Sequence, residues 1–192
     1  MKLLYAAIVI YLGTMVCSIF KKSLSKYVFL AGFPIIIVTN IILGNMFSGR
    51  ILLIGSIILG ILFYFFDVYI INHYIPSVAV SAIFETKNYN RIFLSLFGVI
   101  FSSIYEEMLW RQTLMVLGGG WLLSITMALM FALTHLTKRI TATEVVCLFI
   151  FALFQNYFFM KYGSILNCII VHIVRNTCVK LLQTKIEEIR MR

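Results

Sequence analysis

Glu106, Glu107 and Arg111 lie in the run Ser103-Ile104-Tyr105-Glu106-Glu107-Met108-Leu109-Trp110-Arg111, inside a stretch otherwise apolar enough to cross a bilayer. A charged side chain near the middle of a membrane helix costs about 2.5–3.5 kcal/mol on insertion scales, so three together cost roughly 8–10 kcal/mol unless they pair, meet water or do chemistry. On a helix, Glu107 and Arg111 are four residues apart with the acid on the N-terminal side, the favourable orientation for an ion pair. Glu106 is turned by about 100° from Glu107. Pairing of Glu107 with Arg111 therefore leaves Glu106 facing something else.

Three further polar side chains stand in later apolar runs: His135 in Phe131-Ala132-Leu133-Thr134-His135, and His172 and Asn176 in His172-Ile173-Val174-Arg175-Asn176. His172 and Asn176, four apart, share one helix face. A carboxylate, two imidazoles and a carboxamide are the parts of a water-activating site. Glu106 or a histidine can take a proton from water, and His or Asn can donate to a developing oxyanion. Glu106, His135 and His172 could equally hold Zn²⁺ with an open position for water. The residue types leave both routes open. Other hydrolytic signatures are absent: there is no H-E-x-x-H and no G-x-S-x-G, and Asp67 is the sole aspartate, which excludes an aspartyl dyad. No Gly-rich phosphate loop precedes a helix.

The elements that must position these groups are membrane helices. Hydrophobic residues make up 62% of the chain and charged residues 12%, with mean hydropathy +1.02. Soluble domains carry about 25% charged residues. The continuous apolar runs exclude a β-barrel, whose strands alternate. The expected fold is all-α, a polytopic transmembrane bundle of about seven spans, at 3–20, 27–47, 51–71, 92–117, 121–136, 142–160 and 164–182. A short apolar stretch at 75–84 is expected to lie in the interface; a crossing there would reverse the orientation of everything upstream. The first run is expected to be a retained span, since no small-residue cleavage site closes it. Three segments follow: N-terminal helices and the interfacial stretch at 1–91, a core of motif-bearing spans at 92–182, and a charged tail at 183–192.

Sixteen Lys and Arg against seven Asp and Glu give a net charge of +9. With seven spans, Lys2, Arg50 and Lys161 fall on one side. Lys21, Lys22, Lys26, Lys87, Arg91, Lys138, Arg139, Lys180 and the tail cations fall on the other. The positive-inside rule then places the C-terminus in the cytoplasm of a multi-pass cell-membrane protein. The lipid bilayer accounts for the basic surplus. Nucleic acid is not an expected partner, because no basic block interleaved with aromatics stands outside the spans. Cys17, Cys147, Cys168 and Cys178 form no C-x-x-C pair and are expected to be buried as small apolar side chains. His73, beside Asn72, is expected to be solvated in a loop.

Glu106-Glu107-x-x-x-Arg111, Phe131-x-x-x-His135 and His172-x-x-x-Asn176, in that order and each in its own span, resemble the three motifs of the CPBP family. These are the CAAX proteases and bacteriocin-processing enzymes, also called the Abi family. The aromatic Trp110 fits the first motif, and Gln112 stands where the family often has Gly. The resemblance implies an intramembrane endopeptidase acting on a membrane-associated peptide or protein. It implies that Glu106 and His135 activate water, that His172 and Asn176 support the oxyanion, and that Glu107 and Arg111 brace the site. Both a metalloprotease with Zn and a metal-free glutamate mechanism are consistent with the family. A non-catalytic protein for bacteriocin self-immunity or peptide-export support is the alternative. A proton-coupled transporter is weaker, since no internal repeat is visible.

Overall fold

The computed structural model describes residues 49–72, 76–84, 89–116, 118–135 and 141–190. The expected spans at 3–20 and 27–47, the loop cations Lys138 and Arg139, and His73 lie outside the described residues. Six α-helices are described: α1 (Leu53–Asp67), which continues as a π-helical turn Val68–Asn72, α2 (Pro76–Phe84), α3 (Tyr89–Val116), α4 (Trp121–Thr134), α5 (Ala142–Tyr162) and α6 (Ile165–Arg190). No strand occurs among the described residues. The stretches Leu53–Ile70, Ala142–Tyr162 and Ile165–Ile189 are long and apolar enough to cross a membrane, and α4 is a shorter apolar helix. The protein is an all-helical membrane protein.

Local sequence sets where these helices begin and end. At the start of α5, Thr141 Oγ1 accepts from the Glu144 backbone N–H at 3.3 Å, and the Glu144 carboxylate accepts from the Thr141 N–H at 2.6 Å. This reciprocal capping box satisfies two N–H groups that the first turn leaves unbonded. At the other end Gly163 adopts φ 67, the left-handed conformation that closes a helix, and its N–H donates to the Phe159 carbonyl at 2.7 Å. Gly118, Gly119 and Gly120 all have positive φ and separate α3 from α4. Helix α6 runs on to Arg190, so the residues read from sequence as a charged tail continue it.

The described residues group into two compact units. One holds residues 49–50 with Glu107–Ile165, the other Ile51–Glu106 with Leu166–Arg192. In the first unit, Trp110 meets the edge of Phe131 at 6.0 Å between centroids, and Phe131 lies 6.5 Å from Phe151. All three rings are buried, which ties the end of α3 to α4 and α5. Aromatic pairs at these spacings add about 0.5–1.5 kcal/mol each beyond area burial.

In the second unit, α1 packs along α6. The Leu52 N–H at the head of α1 donates to Asn167 Oδ1 at 2.8 Å. Further on, Tyr64 and Val68 pack with Ala79, Ala82, Cys178 and Leu182, and the Tyr64 hydroxyl donates to the Ala79 carbonyl at 3.0 Å. These pairings advance together along both helices, so α1 and α6 run in the same direction. Their closest approach is at Gly60, where an added Cβ would sit 2.7 Å from Val174 Cβ and 2.8 Å from the Val171 carbonyl oxygen. Gly60→Val is expected to cost about 1–3 kcal/mol by forcing the helices apart. Gly55, whose added Cβ meets nothing nearer than Leu52 Cβ at 3.8 Å, should gain about 0.5–1 kcal/mol on substitution by Ala. Thermal unfolding of both variants in detergent checks the pair; equal melting shifts would contradict the close approach. Cys147, Cys168 and Cys178 are buried free thiols, as expected, and Cys17 lies outside the described residues.

Candidate active site

The second unit brings Glu106, His172 and Asn176 together. Glu106 Oε2 is 3.8 Å from His172 Nε2, and Asn176 Nδ2 donates to Ser103 Oγ at 3.4 Å. Ser103 and Glu106 lie three apart on α3, and His172 and Asn176 four apart on α6, so each helix offers two polar groups on one face. The separation of 3.8 Å exceeds a direct hydrogen bond. It suits two groups that act on one shared atom, such as a water oxygen. The His172 side chain is 2% exposed and that of Glu106 22%. The Glu106 side chain is therefore the more exposed member of the pair, although its Oε2 is itself buried.

The first unit holds the brace expected from sequence. Arg111 Nε donates to Glu107 Oε2 at 2.8 Å, and both side chains are completely buried. Arg111 Nη1 donates to Asn156 Oδ1, and Asn156 Nδ2 donates in turn to the Ser124 carbonyl at 2.7 Å. This chain of donors links α3, α5 and α4. Asn156 escaped the sequence reading; the signal was Gln155-Asn156, two amides inside an otherwise apolar span.

His135 is in the same unit, at the C-terminal end of α4. Its Nδ1 lies 2.8 Å from the Phe131 carbonyl oxygen. A carbonyl can only accept, so Nδ1 carries the proton and the lone pair of the neutral ring is on Nε2. Such a contact fixes the tautomer of histidines that act as bases or ligands. The Phe131 ring, 4.6 Å from the imidazole, also restrains its orientation.

A second ion pair was not anticipated. Arg175 Nε is 2.7 Å from Asp67 Oδ2, with both residues buried, and Arg175 Nη1 donates to Asn176 Oδ1 at 3.0 Å. The available signal was charge balance. Once Glu107 takes Arg111, Arg175 is a cation left within predicted spans, with Glu106 and Asp67 as the acids able to meet it.

Catalytic zinc takes three protein ligands. Glu106 and His172 offer two donors, and among the described residues no three of His, Cys, Asp and Glu gather to hold a metal ion.

A membrane helix pair thus presents a carboxylate against a histidine and an amide. A protein-family model described as type II CAAX prenyl endopeptidase Rce1-like matches residues 88–178, the stretch that carries all three motifs. Over that stretch, just under half of the chain, it is similar to the CAAX proteases of the CPBP family. No curated protein and no solved structure matches the chain.

Proposed function

We propose that this protein is an intramembrane endopeptidase that hydrolyses a peptide bond in a membrane-associated substrate, with Glu106 as the general base. The observation that carries this reading is the approach of Glu106 Oε2 to His172 Nε2 across two helices, with Asn176 on the same face of α6. Glu106 takes a proton from water as the oxygen attacks the scissile carbonyl. The carbonyl oxygen becomes an oxyanion, and N–H donors from His172 and Asn176 stabilise it. Glu106 then returns the proton to the leaving amine. His135 is assigned to water activation by the family motif, with Nε2 as its working nitrogen. Zn²⁺ held by Glu106, His135 and His172 is the competing mechanism, and metal analysis of active protein decides between them.

The substrate class we favour is a prenylated C-a-a-X peptide, which the family match supports; leader, signal and bacteriocin peptides are the competing substrates. Residues 92–182 form the proposed catalytic core, with 1–91 and 183–192 as flanking segments. The seven-span topology draws support from the shared direction of α1 and α6. Three crossings between them, by α3, α4 and α5, keep these helices parallel, and a fourth would oppose them. Helix α2, at 9 residues, is about 14 Å long and falls short of the roughly 30 Å hydrocarbon core. With that topology the positive-inside count favours a cytoplasmic C-terminus in a cell membrane.

The test uses purified protein in liposomes. A fluorophore–quencher peptide ending in farnesylated C-a-a-X is compared with the same peptide lacking the lipid. Cleavage of the first and loss of cleavage in His135→Ala at normal membrane levels are expected. Failure of the unaltered protein to cleave either peptide would sink the proposal.

A further inference from the structure

Asp67 and Arg175 belong to no motif and contribute nothing to the water-activating step as described. A buried ion pair of this kind gives little net stability, because desolvation of two charges offsets their attraction. Its position, however, is specific. Asp67 lies at the end of α1, the helix held against α6 by the close approach of Gly60 to Val171 and Val174. The Asp67 carboxylate meets Arg175 through Nε, and the same guanidinium reaches the neighbouring carboxamide through Nη1.

We infer that Asp67 and Arg175 are positioning residues that fix the polarity of the Asn176 carboxamide, turning its N–H donors toward the substrate. The argument is one of donor inventory. A guanidinium can only donate, so the Asn176 atom facing it must be Oδ1. The amide nitrogen then faces α3, where it meets Ser103 Oγ one helical turn from Glu106. Without Arg175 the carboxamide could turn over and present its oxygen to a developing oxyanion, exchanging attraction for repulsion. Asp67 holds the guanidinium at Nε, which leaves Nη1 directed along α6. The arrangement also occupies one of the two lone pairs of Asn176 Oδ1.

This inference rests on the proposed peptidase reading, and the experiment separates the two. Asp67→Leu/Arg175→Met replaces the ion pair by apolar side chains, leaving no lone buried charge to unfold the protein. With the farnesylated C-a-a-X probe, the double variant should reach normal membrane levels. Its kcat should fall about 10²-fold, as for loss of an oxyanion donor, with KM changed less than about threefold. Adding Asn176→Ala should cause no further loss, since groups acting through one another are not additive. Arg175→Lys keeps a cation for Asp67 but lacks the fork that reaches Oδ1; it should likewise fold and lose kcat. Full kcat in a folded double variant or in Arg175→Lys overturns the positioning role, as do losses that multiply on adding Asn176→Ala. Failure of the unaltered protein to cleave the probe overturns the peptidase reading instead.

Discussion

Glu106→Gln is expected to lower turnover by roughly 10²–10⁴-fold, the usual contribution of a general base, while leaving the amount of protein in the membrane unchanged. Glutamine keeps the length and planar end of glutamate and loses only its ability to take a proton. Glu106 is also the less buried partner of its pair with His172, 22% exposed against 2%. Loss of its charge should therefore be felt in chemistry before stability. The measurement is the initial rate on the farnesylated C-a-a-X probe, normalised to folded protein. A scaffold protein, such as one conferring bacteriocin immunity, would tolerate this isosteric change and keep its phenotype. An unchanged rate in Glu106→Gln would end the assignment of Glu106 as base.

Much of the site was legible because its logic is local. The spacing of Glu107 and Arg111 implied the ion pair directly, since four residues on a helix bring side chains together whatever the tertiary fold. The same holds for His172 and Asn176 on one face of α6. The partners that join different helices were harder to see. Arg175 was visible as a charge within a span and Asp67 as a charge near the end of another, yet only tertiary packing matches them. Asn156 was masked by its setting, because a single amide scarcely changes the hydropathy of α5. Helix limits failed for a different reason. The seventh span was ended at 182, where charged residues begin, whereas α6 continues to Arg190. Hydropathy marks where a helix leaves the apolar layer; backbone hydrogen bonding continues into water. Within the short stretch at 75–84, Pro76–Phe84 is helical, as α2.

Arg111→Met should be the most destabilising substitution in the described residues. It strands the Glu107 carboxylate in a completely buried position and strips Asn156 Oδ1 of its guanidinium donor. Breaking a buried pair by removing one partner costs about 3–5 kcal/mol, a large share of the roughly 5–15 kcal/mol that holds a folded domain together. The expected outcome is a severe fall in membrane level and a lower melting temperature in detergent. Glu107→Gln/Arg111→Met removes both charges, and most of the lost stability should return. The double variant also separates the roles of the two adjacent glutamates. If Glu107 only braces the site, the rescued protein cleaves the farnesylated probe at a rate per folded molecule within about tenfold of the unaltered chain, the loss reflecting small displacements of Glu106. If Glu107 were itself the base, the rescued protein would be folded and inactive. That result would transfer the chemistry by one residue, to the face of α3 turned toward Asn156.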